Sequence, residues 1–170
     1  MQASLVITIL GPDRAGLVKS LSETLNRFQG SWTESRMSHL AGKFAGILQV
    51  SVPTDKVDEL TTALQALQSD GLQVSIEKVD QDKVAPAKEI SLELLGQDRP
   101  GIIRDITEQL AHLNVNIEDL ESQVEEASMS GGTLFRAQLK LGLPENVTTD
   151  AVQDSLESMS DQFMVDINFS

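Results

Sequence analysis

The chain states one motif twice. Leu10-Gly11-Pro12-Asp13-Arg14-Ala15-Gly16-Leu17 returns 85 residues later as Leu95-Gly96-Gln97-Asp98-Arg99-Pro100-Gly101-Ile102. A repeat of this period restricts the architecture to two copies of one supersecondary unit with related surfaces. The copies stay in register through the helix-like stretches that follow, Val18 to Leu25 and Ile103 to Leu110.

Divided at that offset, 170 residues give two modules of roughly 80, each just large enough to bury its own core. We expect domains at 1–80 and 89–170. The polar, aperiodic stretch 81–88, with its single Pro86, reads as the linker. No apolar run approaches the 18 or so residues of a membrane span, and strand-like residues begin at Leu5 with no basic, apolar leader before them. The expectation is a soluble, cytoplasmic protein. The lack of cysteine excludes a disulfide scaffold and a thiolate metal site. The net charge of −13, from 26 acidic and 13 basic residues, argues against direct nucleic-acid binding, because the cations are scattered singly instead of clustered for phosphate. The acidity itself serves solubility or complements a basic protein partner.

Along the chain, Leu5 to Leu10 is a β-branched run ended by Gly11-Pro12, a buried strand entering a turn. Leu17, Val18, Leu21, Leu25 and Phe28 recur on one helical face, and Gly30 is read as the stop. Strands Trp32 to His39 and Phe44 to Val52 form a hairpin about Ala41-Gly42, closed by Pro53. Thr54-Asp55 offers an N-cap to a helix with the stripe Val57, Leu60, Leu64, Leu67; Asp70-Gly71 ends it, and Leu72 to Ile76 alternates as a strand. The second half repeats the order. It has strand Ile90 to Leu95, helix Pro100 to Leu113, strands Ile117 to Val124 and Leu134 to Leu143, helix Thr148 to Met159 and strand Phe163 to Phe169. Its hairpin, through Ser130-Gly131-Gly132, is longer, and that loop tip offers a contact for a partner or simply a flexible turn.

A βαββαβ string with short connections folds as two interleaved right-handed crossovers. The expected class is α+β: two ferredoxin-like modules, each an antiparallel sheet with both helices on one face. The second and fourth strands of each sheet are open edges, which leaves room for homo-oligomers.

The first strand-to-helix turn carries the most chemistry. A helix start leaves backbone N–H groups without intrahelical partners, with the positive end of the dipole behind them, and a carboxylate or phosphate fits there. In the plainer account Asp13 and Asp98 only cap the helices, Pro100 occupies the first helical turn, and Gly16 and Gly101 only permit the bend. Arg14 and Arg99 are suited either to clamp a carboxylate or to pair with a neighbouring acid. His39 and His112 lack companions at metal spacing. Asp119, Glu121 and Glu125 share one strand face, fit for a weak divalent-ion site or, more simply, for an edge kept solvated. The Asn146-Val147-Thr148 sequon means little without secretion.

Leu95 to Ile103, followed by Asn116-Ile117 where the helix gives way to a strand, resembles the ACT domain, a small regulatory module that binds amino acids. Two such units filling the chain resemble the glycine cleavage system transcriptional repressor family. The resemblance implies a ligand held between modules by the first turn of one and the start of the second strand of the other. It carries over to Asp98, Pro100, Gly101, Ile102, Asn116 and Ile117 in the second half. In the first half the matching set is Asp13, Ala15, Gly16, Leu17, Ser31 and Trp32. There Ser31-Trp32 stands for Asn-Ile and Ala15 for proline, and Trp32 has the bulk to fill a cavity instead of lining it. Hence the pocket that uses Asn116 is the preferred one.

The chain has no Gly-x-Ser-x-Gly elbow, no phosphate-cradling Gly-Lys-Ser/Thr loop, no His-Glu-x-x-His helix and no cysteine nucleophile. The expectation is a non-enzymatic sensor without metal or cofactor. Its two modules would pack as an internal pseudo-dimer, its leading ligand would be glycine, and its partner, by resemblance, a transcription activator. The alternatives are an interaction module without a small ligand and a detached regulatory subunit of an amino-acid metabolic enzyme.

Overall fold

The structure, a computed structural model, describes residues 1–79, 85–86, 88–127, 131–159 and 164–168, the last four of these by backbone alone. The chain divides into two compact units, Met1–Lys83 and Val84–Ser170. The first runs β1 (Gln2–Pro12), α1 (Leu17–Arg27), β2 (Ser31–Leu40), β3 (Lys43–Pro53), α2 (Val57–Gln65), β4 (Gln73–Lys78). The second runs β5 (Lys88–Gln97), α3 (Ile102–His112), β6 (Asn116–Glu126), β7 (Thr133–Leu143), α4 (Thr149–Glu157), β8 (Met164–Asn168). Each folds into a four-stranded antiparallel sheet, ordered β2-β3-β1-β4 and β6-β7-β5-β8, with β2, β4, β6 and β8 at the edges. This is the ferredoxin-like α+β architecture.

Period two in the central strands and period 3.6 in the helices meet in each core. In the first unit Leu5, Ile7 and Ile9 of β1 and Leu48, Val50 and Val52 of β3 lie under Leu21 and Leu25 of α1 and Leu60 and Leu64 of α2. The second unit repeats the arrangement with Ile90, Leu92 and Leu94, then Leu139, Leu141 and Leu143, under Ile106, Leu110, Val152 and Leu156.

Several boundaries differ from the sequence expectation. β1 is longer than Leu5 to Leu10, because its full length pairs with β3 from Gln2↔Pro53 to Pro12↔Lys43. Gly30 does not stop α1. Gln29 takes the left-handed conformation, φ 62°, and the Gly30 amide reaches back to the Leu25 carbonyl at 2.8 Å, a Schellman closure that Asn114 (φ 55°) and Val115 repeat after α3. Thr54 is no cap for α2. A short 3₁₀ turn, Thr54–Lys56, precedes that helix, and the Thr54 hydroxyl donates to the Met1 carbonyl. In α4, by contrast, the Thr148 hydroxyl does accept from the Ala151 amide, at 3.1 Å. Lys88, expected at the end of the linker, already belongs to β5. Gln81 to Val84, Ala87, the loop residues Ser128 to Ser130, and Phe163 and Phe169 lie outside the described residues.

Candidate functional site

β1 and β5 each end in a turn pinned to the tip of the neighbouring hairpin. The Asp13 amide donates to the Gly42 carbonyl, and the Asp98 amide to the Thr133 carbonyl, both at 3.0 Å. The chain then turns into the helix through Gly16 (φ 95°) and Gly101 (φ 80°), which are the N-cap residues of α1 and α3 and supply no side-chain cap. Left-handed backbone here is why glycine recurs in both copies. Asp13 and Asp98 are therefore not caps, and Pro100 stands before the helix, not in its first turn. The ladders begin with the Ser20 amide on the Gly16 carbonyl (2.9 Å) and the Asp105 amide on the Gly101 carbonyl (3.0 Å). Of the amides between, that of Ile102 donates to the Arg99 carbonyl at 3.4 Å, and the others lie ahead of those ladders. A Cβ built on Gly16 would meet nothing within 4 Å, so the approach is open.

Asp13, Ala15, Asp98 and Pro100 are exposed around these turns. Leu17 and Ile102 are 4% and 5% exposed, so their side chains belong to the cores and only their backbone faces the turn. Val18, read as part of one helical stripe, and its counterpart Ile103 are 39% and 40% exposed, apolar groups at the same helix starts.

The charged neighbours differ between copies. Arg14 donates to the Asp70 carbonyl, whereas Arg99 pairs with the Asp105 carboxylate at 2.6 Å and Arg104 approaches the same group at 3.2 Å. The Arg99 hydrogen bond, ahead of partial burial that works the other way and of Arg104, holds the Asp105 carboxyl below the ordinary carboxylate range. Asp13 lies 3.5 Å from His39 Nδ1. Among the described residues, no group of three or more His, Cys, Asp or Glu is arranged to hold a metal ion. Asp119, Glu121 and Glu125 do share one face, opposite Lys140, Gln138 and Leu134 of β7.

The other half of the expected site opens the edge strands. Ser31 pairs with Ser51, and Asn116 with Gly142. Trp32 and Ile117 are partly buried against the cores. Each strand then bulges, between Trp32 and Glu34 and between Ile117 and Asp119. The inserted residues are Thr33, whose hydroxyl donates to the Gln49 carbonyl at 2.9 Å, and Glu118, which accepts from Asn116 Nδ2 at 2.9 Å. The bulges were legible in principle. Ile117 and Leu120, three apart, cannot face the same side of a regular strand.

Within one unit these half-sites stand apart. Ser31 lies level with Ser4 through Ser51, and Asn116 with Glu89 through Gly142, whereas the helix starts follow Pro12 and Gln97. Eight residues of strand separate the two levels, about 26 Å at some 3.3 Å per residue. The structure brings together the members of each half-site, and in neither unit does it join the two halves. Two shallow polar concavities, of about 350 and 270 Å³, lie on the sheets, lined by residues such as Ser4, Glu34 and Gln49 in the first and Glu93, Asp119 and Lys140 in the second. Neither includes a first-turn residue.

The ACT-domain model matches residues 3–77 and 89–170. A crystal structure of an unknown protein from Galdieria sulphuraria superposes with a TM-score of 0.87 at 28% identity, covering 100% of this chain and 99% of that one. A protein provisionally named as a glycine cleavage system transcriptional repressor gives 0.74 at 18% identity, over 100% and 99% of the two chains, a likeness of fold. No curated protein matches the sequence.

Proposed function

The chain belongs to the ACT-domain family, and from that membership we propose that it is a regulatory protein that binds a small amino acid, glycine foremost, and acts through a protein partner. The working units are the two modules, the second opening on β5 at Lys88. The observation that carries this reading is the uncapped helix start behind Gly16 and Gly101, where backbone amides and the helix dipole suit a carboxylate. Asn116 and Ser31, exposed at the edge-strand starts, supply polar groups for the other end of an amino acid. The half-sites of one unit lie about 26 Å apart by strand length, so a small amino acid does not reach from one to the other within a single unit.

The task we infer is repression of the glycine cleavage system through a transcription activator, without contact to DNA. The charge of −13 supports the indirect route. Cytoplasmic residence and a non-catalytic role are part of the same reading; among the described residues no helix is long and apolar enough to cross a membrane. For the first unit Trp32, packed against the core at the strand start, favours an interaction surface over a ligand pocket.

Thermal unfolding of the full chain with glycine, L-serine and branched-chain amino acids tests the proposal. A ligand at a hundred times its Kd adds about 2.7 kcal/mol to native stability. No shift at millimolar ligand would leave the interaction module standing. Pull-down from cell extract then separates a transcription activator from a metabolic enzyme as partner.

A further inference from the structure

We propose that Glu118 makes the second unit selective for a free ammonium group by fixing the amide of Asn116. The inference rests on the amino-acid-binding reading above and assigns the chemistry of one end of the ligand.

Glu118, the residue inserted at the β6 bulge, stands two residues after Asn116, whose Nδ2 donates to its Oε1 at 2.9 Å. An ionised carboxylate only accepts hydrogen bonds, so the Asn116 NH₂ must face it and the amide oxygen is turned away. Gly142, paired across from Asn116, provides the seat. A Cβ at that position would lie 2.7 Å from Glu118 Oε1 and 2.9 Å from the Cβ of Pro86, so any larger residue would crowd the carboxylate against the proline ring. The exposed start of this edge strand thus offers an amide oxygen and a negative charge side by side. A protonated amine, with three donors and a positive charge, satisfies both, whereas a hydroxyl or an acylated nitrogen does not.

The first unit lacks this arrangement. Ser31 replaces Asn116 and Ser51 replaces Gly142, while the inserted residue is Thr33, whose hydroxyl is given to the Gln49 carbonyl. Ammonium selection therefore resides in the second unit alone.

Calorimetric titration of the full chain with glycine, L-serine and N-acetylglycine, on the natural protein, Glu118→Gln and Glu118→Asp, tests this. The natural protein should take glycine or serine at least tenfold more tightly than N-acetylglycine. Glu118→Gln, with an unchanged circular dichroism spectrum and melting temperature, should lose about tenfold toward the free amino acid and narrow that preference, and Glu118→Asp should restore part of it. Equal binding by Glu118→Gln, or equal affinity of the natural protein for N-acetylglycine, would overturn the role of Glu118 while leaving amino-acid binding intact. No heat from the natural protein with glycine or serine would remove both.

Discussion

Toward the helices the two units are nearly the same molecule; away from them they are not. Leu5, Ile7 and Ile9 find counterparts in Ile90, Leu92 and Leu94, and all six are buried. On the opposite sheet face the first unit pairs Thr8 with Ile47 and Leu10 with Ala45, leaving Ile47 56% exposed. At those positions the second pairs Glu93 with Gln138 and Leu95 with Arg136, and Arg136 is held by Glu93 and, at 3.0 Å, by Glu125. The carboxylates, Glu125 first and then Glu93, raise the guanidinium's affinity for its proton. Duplication kept the packing that makes the fold and let the sheet faces turned away from the helices diverge. The edge-strand starts, Ser31-Trp32-Thr33 against Asn116-Ile117-Glu118, diverge in the same way.

The comparison breaks most visibly in the cores. If they are equivalent, Leu21→Ala in the first and Ile106→Ala in the second should each cost about 2–5 kcal/mol, measured as the fall in urea midpoint. A loss under 1 kcal/mol in one of them would show that its helix carries less of the stability than burial implies. Smaller effects are expected at the helix ends. Gln29, left-handed at φ 62°, should gain about 0.5–1 kcal/mol on replacement by glycine, and Asn114→Gly should gain less, because asparagine already tolerates that conformation. Equal gains would refute the distinction.

The finest difference concerns acid. Asp105 titrates below the ordinary carboxylate value, so its contribution is present in full above the unfolded value of about 3.9 and is lost as pH falls through that value toward the lower folded one. At the matching position the first unit has Ser20. Asp105→Ser should therefore weaken the protein at neutral pH and flatten the acid limb of its stability curve, read by chemical denaturation between pH 6 and pH 2. An unchanged acid limb would show that the Arg99 pair does not couple to folding.

Element order, strand edges and the strand-to-helix turns were readable because periodicity and the repeated glycine are local signals, whereas the sequence left open whether Asp13 and Asp98 cap the helices. What was not readable depended on contacts distant in sequence. Thr54 has the chemistry of a cap, yet its hydroxyl meets Met1 instead. Arg99 is followed by several acids, and only the turn of α3 brings Asp105 to it. The left-handed residue after α1 was sought at glycine because glycine takes that conformation without cost, and the chain places Gln29 there, one position earlier. Glu118 was hidden in part. Residues two apart share a face of a regular strand, as Gln123 and Glu125 do farther along β6, so its reach to Asn116 was open to the sequence, whereas the bare backbone of Gly142 opposite came only with the pairing of β6 and β7.

The distance along each sheet from helix start to edge-strand start also bears on the number of copies a ligand needs. If a ligand takes one end at a helix start and the other at an edge-strand start, as proposed above, a solitary copy cannot hold glycine, because the two places lie at opposite ends of one sheet. On that proposal the smallest binding entity is a pair of copies, and this chain carries two matches to the one family model.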